Sequence, residues 1–188
     1  MMTEKGNELE RYETLSSEVV WSCPWYRVRR DEIMTPSGVA GEYNVVEKGA
    51  AVWVVPVTAA GELVLIRNYR YTVDDVCWEV PAGNVPAGKS LAEAAVMELK
   101  EEVGGTAAAW HYVGQFYTAN GICNEVSHIF VALGVELGVA VREATEVMAV
   151  HRRPWAEGVR MALANEISDG PSALAILLAR GYVDDNLY

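Results

Sequence analysis

The chain has 188 residues, of which 51% are hydrophobic, enough apolar material for one sizeable core or for one domain with a small extension. Against 15 Lys and Arg stand 26 Asp and Glu, a formal net charge of -11. That balance argues against polymeric nucleic acid or an anionic membrane as partner, since either needs a local basic stripe.

The start, MMTEKGNELERYE, is polar and charged with no apolar core, and no later run is long enough to span a bilayer, so the expected compartment is the cytoplasm. Short strands are expected over residues 18–22, 25–34 and 42–47, with Thr35-Pro36-Ser37-Gly38 turning between the last two. These make an all-β preface, too thin to form its own core. The β-branched and apolar runs 51–57 and 63–71, joined at Ala59-Ala60-Gly61, predict a hairpin in a central sheet, and residues 77–80 add another strand. Further strands are expected over 110–117 and 126–135, around a loop over 118–125, and two helices, 155–165 and 171–180, close the chain. Strands interleaved with helices on both faces define an α/β fold, an α/β/α sandwich with a mixed sheet. Cys23, Cys77 and Cys123 share no metal or disulfide spacing and read as free thiols, and the scattered His111, His128 and His151 read as structural.

The stretch GNVPAGKSLAEAAVMELKEEVGG, residues 83–105, carries the most chemistry. Ser90 with Glu93 three residues on is a capping-box signature, so a helix should begin near Leu91 and stop at Gly104-Gly105. At about 100° per residue, Ala92, Ala95, Val96, Leu99 and Val103 share one face, while Glu98, Glu101 and Glu102 gather on another. Carboxylates that close repel each other, and their hard oxygens suit divalent cations such as Mg²⁺; a solvated acidic face is the alternative.

With the preceding Trp78-Glu79-Val80-Pro81-Ala82, this stretch resembles the Nudix hydrolase box, G-x5-E-x7-R-E-U-x-E-E-x-G-U with U aliphatic. Gly83, Glu98, Leu99, Glu101, Glu102 and Gly104 match in register. Lys89 stands where the family has Glu, Met97 where it has Arg, and Gly105 where it has an aliphatic residue. Segments outside the box resemble the ADP-ribose pyrophosphatase branch. In the run LIRNYRY, Arg70 occupies the place of an arginine that contacts substrate phosphate. The loop ANGICNE over 119–125, with Gly121 as a substrate contact, is similar to the branch's Ser-Pro-Gly-x-Ser-x-Glu loop, Asn120 replacing proline. Trp25 and Tyr43 match positions at which relatives stack aromatic rings on adenine. TEVMAV over 145–150 resembles the branch's loop Asp-Glu-x-Ile-Glu-Val, which makes Glu146 the base for the attacking water, with nearby Glu143 as the other candidate.

The resemblance implies a Nudix α/β/α sandwich over 49–188 and a small antiparallel β extension over 1–48 that forms a homodimer. It implies hydrolysis of the diphosphate linkage of ADP-ribose or a related nucleoside diphosphate sugar. Mg²⁺, or Mn²⁺ in its place, would be held by Glu98, Glu102 and the Ala82 carbonyl, with Glu101 as a further ligand and catalytic carboxylate. Because Lys89 and Met97 depart from the box, a Nudix-fold module that binds a nucleotide without cleaving it remains the alternative.

Overall fold

A computed structural model describes residues 9–140 and 148–187. The chain divides into two compact units, one made of Met1–Lys48 with Ala119–Glu125, the other of Gly49–Thr118 with Val126–Tyr188.

In the first unit, β1 (Glu13–Ser22), β2 (Arg27–Met34) and β3 (Ala40–Glu47) form an antiparallel meander in the order β1-β2-β3. Every residue of β1 is exposed. Polar groups hold this sheet where a core is lacking: Arg29 donates to both oxygens of Asp31, from Nε at 2.8 and 3.0 Å and from Nη2 at 2.8 Å, and also pairs with Glu47. Ser17 donates its hydroxyl to Asp31 at 2.7 Å. The segment Ala119–Glu125 continues the sheet beyond β3, where Val46 donates its N–H to the Ile122 carbonyl at 2.7 Å and accepts from Asn124 at 3.2 Å. Lys48 closes the junction with an ion pair to the buried Glu125 at 2.5 Å. Strand β1 is longer than the sequence suggested, and β2 starts at Arg27, leaving Trp25 in the turn before it.

The second unit is built on β4 (Ala51–Thr58), β5 (Glu62–Arg70), β6 (Asp75–Glu79), β7 (Ala82–Asn84), β8 (Gly105–Thr106), β9 (Ala109–Tyr117), β10 (Val126–Leu137) and β11 (Met148–Pro154), with α1 (Leu91–Val103), α2 (Trp155–Leu163) and α3 (Gly170–Leu187). Its strands form one sheet with the central order β11-β5-β4-β10-β8, β6 pairing β5, β7 pairing β4 and β9 pairing β10. The sheet is mixed, since β10 runs parallel to β4 while the other pairings are antiparallel. Strand β4, AVWVVPVT, is apolar almost without interruption because both its faces are covered. Val55 and Val57 join Leu63, Leu65 and Ile176 in one cluster with α2 and α3, while Val52 and Val54 join Ala94, Leu99 and Val103 in a second cluster under α1. Helices on both faces give the expected α/β/α arrangement.

Three short or polar strands, β7, β8 and β11, went unread in the sequence, and Met148–Val150, expected within a loop, opens β11 instead. Helix α1 keeps its expected ends: Ser90 and Glu93 form the reciprocal capping box, and Gly104 closes the helix in the left-handed conformation at φ +66°. Its faces differ from the projection. Ala94 and Glu102 are buried with Ala95, Leu99 and Val103, whereas Ala92 and Val96 are exposed.

Candidate active site

Two glutamates of α1 meet the β7 backbone. A Cβ built on Gly83 would lie 2.1 Å from Glu98 Oε1 and 2.3 Å from its Cδ, so only glycine lets this half-buried carboxylate lie across the strand. One helical turn on, Glu102 is 7% exposed, and its Oε2 accepts the Ala82 N–H at 3.2 Å. Two carboxylates four residues apart are thereby drawn to the Ala82-Gly83 main chain. Glu101, expected on the same face, is exposed.

Among the described residues, no three His, Cys, Asp or Glu side chains stand together as a metal-holding group. The Glu98 and Glu102 carboxylates beside this main chain are hard oxygen donors, the kind that suits Mg²⁺ or Mn²⁺.

Arg70, at the end of β5, lies in the same unit and is gripped by a residue the sequence reading had not singled out. Its Nε donates to Glu79 Oε1 at 2.7 Å and its Nη2 to Glu79 Oε2 at 2.6 Å, a side-on bidentate pair. Glu79, in β6, is 2% exposed and also accepts from Asn68 Nδ2 at 3.3 Å. The pair raises the Arg70 pKa above the ordinary guanidinium value, first through the Glu79 hydrogen bonds, with further support from the charges of Glu79, Asp169 and Glu102. Arg70 and Glu79 also line a cleft of about 540 Å³ with Thr72, Asp75, Cys77 and Asp169. The sequence carries no local signal for Glu79, whose partner Arg70 comes from the neighbouring strand β5.

In the first unit, Tyr43 donates its hydroxyl to the Gly121 carbonyl at 3.2 Å, which brings these two expected substrate contacts together. Trp25 lies in the β1–β2 turn and is 71% exposed. Glu143 and Glu146 lie outside the described residues.

The departures from the box have distinct settings. Lys89 makes an exposed ion pair with Glu93 at 3.6 Å, one turn along the helix start. Met97 is half-buried. Gly105 stands against Leu99, whose Cγ would be 2.8 Å from an added Cβ, so the space an aliphatic side chain would fill is already taken.

An α/β/α sandwich whose glycine-bounded loop and acidic helix face one another is the framework of a Nudix protein. The chain belongs to that family: the NUDIX domain model matches residues 47–167, and a model described as the nucleoside diphosphate sugar hydrolase N-terminal domain matches residues 12–46. The chain is 32% identical over 169 residues to an ADP-ribose pyrophosphatase of Mycobacterium tuberculosis (strain ATCC 25618 / H37Rv), covering 88% of this chain and 82% of that one. To an ADP-ribose pyrophosphatase of Bacillus subtilis (strain 168) it is 27% identical over 165 residues, 87% and 89% of the two chains. A solved structure described as an ADP compounds hydrolase superposes with a TM-score of 0.84 over 96% of this chain and 98% of its own, at 23% identity, and shares the fold.

Proposed function

We propose that the protein hydrolyses the diphosphate linkage of ADP-ribose or a related nucleoside diphosphate sugar, giving a nucleoside monophosphate and a sugar phosphate. The observation that carries this reading is the pair of helix carboxylates drawn to one main-chain strand, Glu98 across Gly83 and Glu102 on Ala82. Glu98, Glu102 and the Ala82 carbonyl are the groups that would hold Mg²⁺ or Mn²⁺, with Glu101 as a further donor. When bound, the ion supplies Lewis acidity to the phosphates and makes a coordinated water more acidic. Arg70 binds a phosphate oxygen and offsets charge that builds there as the P–O bond breaks. Glu146, or Glu143 beside it, accepts the proton of the attacking water. Trp25, Tyr43 and Gly121 contact the nucleoside, the exposed ring of Trp25 offering a face on which a base stacks.

The N-terminal sheet we assign to homodimer formation, because β1 is an edge strand exposed along its whole length and displays Leu15, Val19 and Trp21.

A second reading, a binding module without turnover, is favoured by Lys89 and Met97, which leave the box without its usual glutamate and arginine. Incubating a panel of nucleoside diphosphate sugars with Mg²⁺ and detecting released phosphate monoester separates the two. Hydrolysis by the parent, increased about tenfold in Lys89→Glu/Met97→Arg, supports the enzyme; that gain needs only about 1.4 kcal/mol of transition-state stabilisation. Tight binding in both proteins with no monoester released supports the module.

A further inference from the structure

We infer that Glu79 is a positioning residue that presents Arg70 to a diphosphate, holding one edge of the guanidinium so that its opposite edge meets a phosphate oxygen. The inference rests on the proposed diphosphate site and names a residue that reading does not use.

A guanidinium has two edges able to form paired hydrogen bonds with an oxyanion, one through Nε and one Nη, the other through both Nη atoms. Glu79 takes the Nε–Nη2 edge, with both bonds at or below 2.7 Å. Among the described residues no acceptor bonds Nη1, so the Nη1–Nη2 edge keeps donors for a ligand. The grip is itself gripped. Glu79 is almost fully buried, its strand β6 is paired with β5, and Asn68 on β5 donates to the same carboxylate. Arg70 is the opposite case: its side chain is half exposed and lines the cleft, and a long arginine left alone there would sample many rotamers. A buried carboxylate whose partner is a half-exposed arginine at a cleft wall is poorly explained as a stabilising ion pair, since taking a carboxylate out of water costs much of what the pairing returns. Fixing the direction of a phosphate-binding fork explains the arrangement, because a small angular error in such a group costs a large part of its effect on rate.

The test is a double-mutant cycle on Arg70→Ala and Glu79→Gln, the glutamine being isosteric and able to keep one hydrogen bond, so that the fold is retained. Turnover of ADP-ribose with Mg²⁺ and equilibrium binding of inorganic pyrophosphate are measured for the four proteins, with melting temperatures. The expected result is a loss of about tenfold in kcat/KM for Glu79→Gln, a larger loss for Arg70→Ala, and no further loss in the double variant, because Glu79 acts only through Arg70. Pyrophosphate affinity should show the same coupling. Glu79→Gln effects that multiply with those of Arg70→Ala, or that follow melting temperature alone, would overturn the inference and leave the hydrolase standing. Coupled effects on pyrophosphate binding without turnover in the parent would leave the inference standing and overturn the hydrolase. A parent that neither binds pyrophosphate nor turns over substrate overturns both.

Discussion

Gly83 and Glu98 make one device, in which a missing side chain on the strand is the space a carboxylate occupies. Gly83→Ala puts a methyl group inside the Glu98 carboxylate, and since the β7 backbone is tied to β4, the glutamate must swing away. The displaced atoms are the end of a flexible side chain, so the fold should tolerate the change, and the sharper effect is on ions. A cation held at about 100 times its dissociation constant stabilises a folded chain by about 2.7 kcal/mol, so the parent should melt higher in excess Mg²⁺ than in EDTA. In Gly83→Ala and in Glu98→Gln that difference should vanish. Equal melting temperatures with EDTA and Mg²⁺ in the parent, or an undiminished difference in both variants, would contradict the carboxylate pair as the ion's holder.

Helix α1 was legible from end to end because its signals are local: the capping box at Ser90 and Glu93, and a left-handed terminus that only Gly104 adopts without strain. The box residues were legible for the same reason, as two glycines, a leucine and three glutamates at fixed spacing. What the sequence hid is set by pairing across the sheet. β7 and β8 are only three and two residues long, too short for any alternation, and HRR in β11 reads as polar although the strand pairs β5 along its length. Glu79 hid for a related reason, since its meaning depends on Arg70 of the neighbouring strand. Glu102 falls on the buried side of α1, seven residues and so about 20° from Ala95 around the helix, and the Ala82 amide gives its carboxylate a partner there. The N-terminal sheet depends on such polar pairing throughout. Hydrogen bonds from Arg29, and then from Ser17, favour ionised Asp31 and hold its carboxyl below the ordinary carboxylate pKa. A depressed folded pKa contributes stability that is complete above the unfolded value of about 4 and is lost as pH falls through the folded value. Carboxyl carbon chemical shifts followed during acid titration should therefore give Asp31 a midpoint below the ordinary aspartate value of about 4, and Arg29→Met should move it up. A midpoint at or above that value would contradict the network.

As a whole, the chain carries a surplus of negative charge although the proposed substrate is negatively charged too, which makes the cation proposed at Glu98 and Glu102 and the guanidinium of Arg70 necessary to the proposal rather than accessory. The described helices include none long and apolar enough to cross a membrane. Assembly through β1 predicts a scattering mass of twice 20.6 kDa at micromolar concentration. It should weaken at low salt, where two chains of charge -11 repel each other over a longer distance. Val19→Glu/Trp21→Glu, which alters only exposed positions of β1, should give a monomer, and a monomeric parent would contradict the assignment. The most direct measurement is the fate of ADP-ribose itself: high enzyme concentration, Mg²⁺ or Mn²⁺, and chromatographic separation of the nucleotides. AMP and ribose 5-phosphate are expected in equal amounts, abolished by EDTA and strongly reduced in Glu98→Gln and Glu146→Gln. ADP-ribose that binds and is recovered intact with either metal would contradict it.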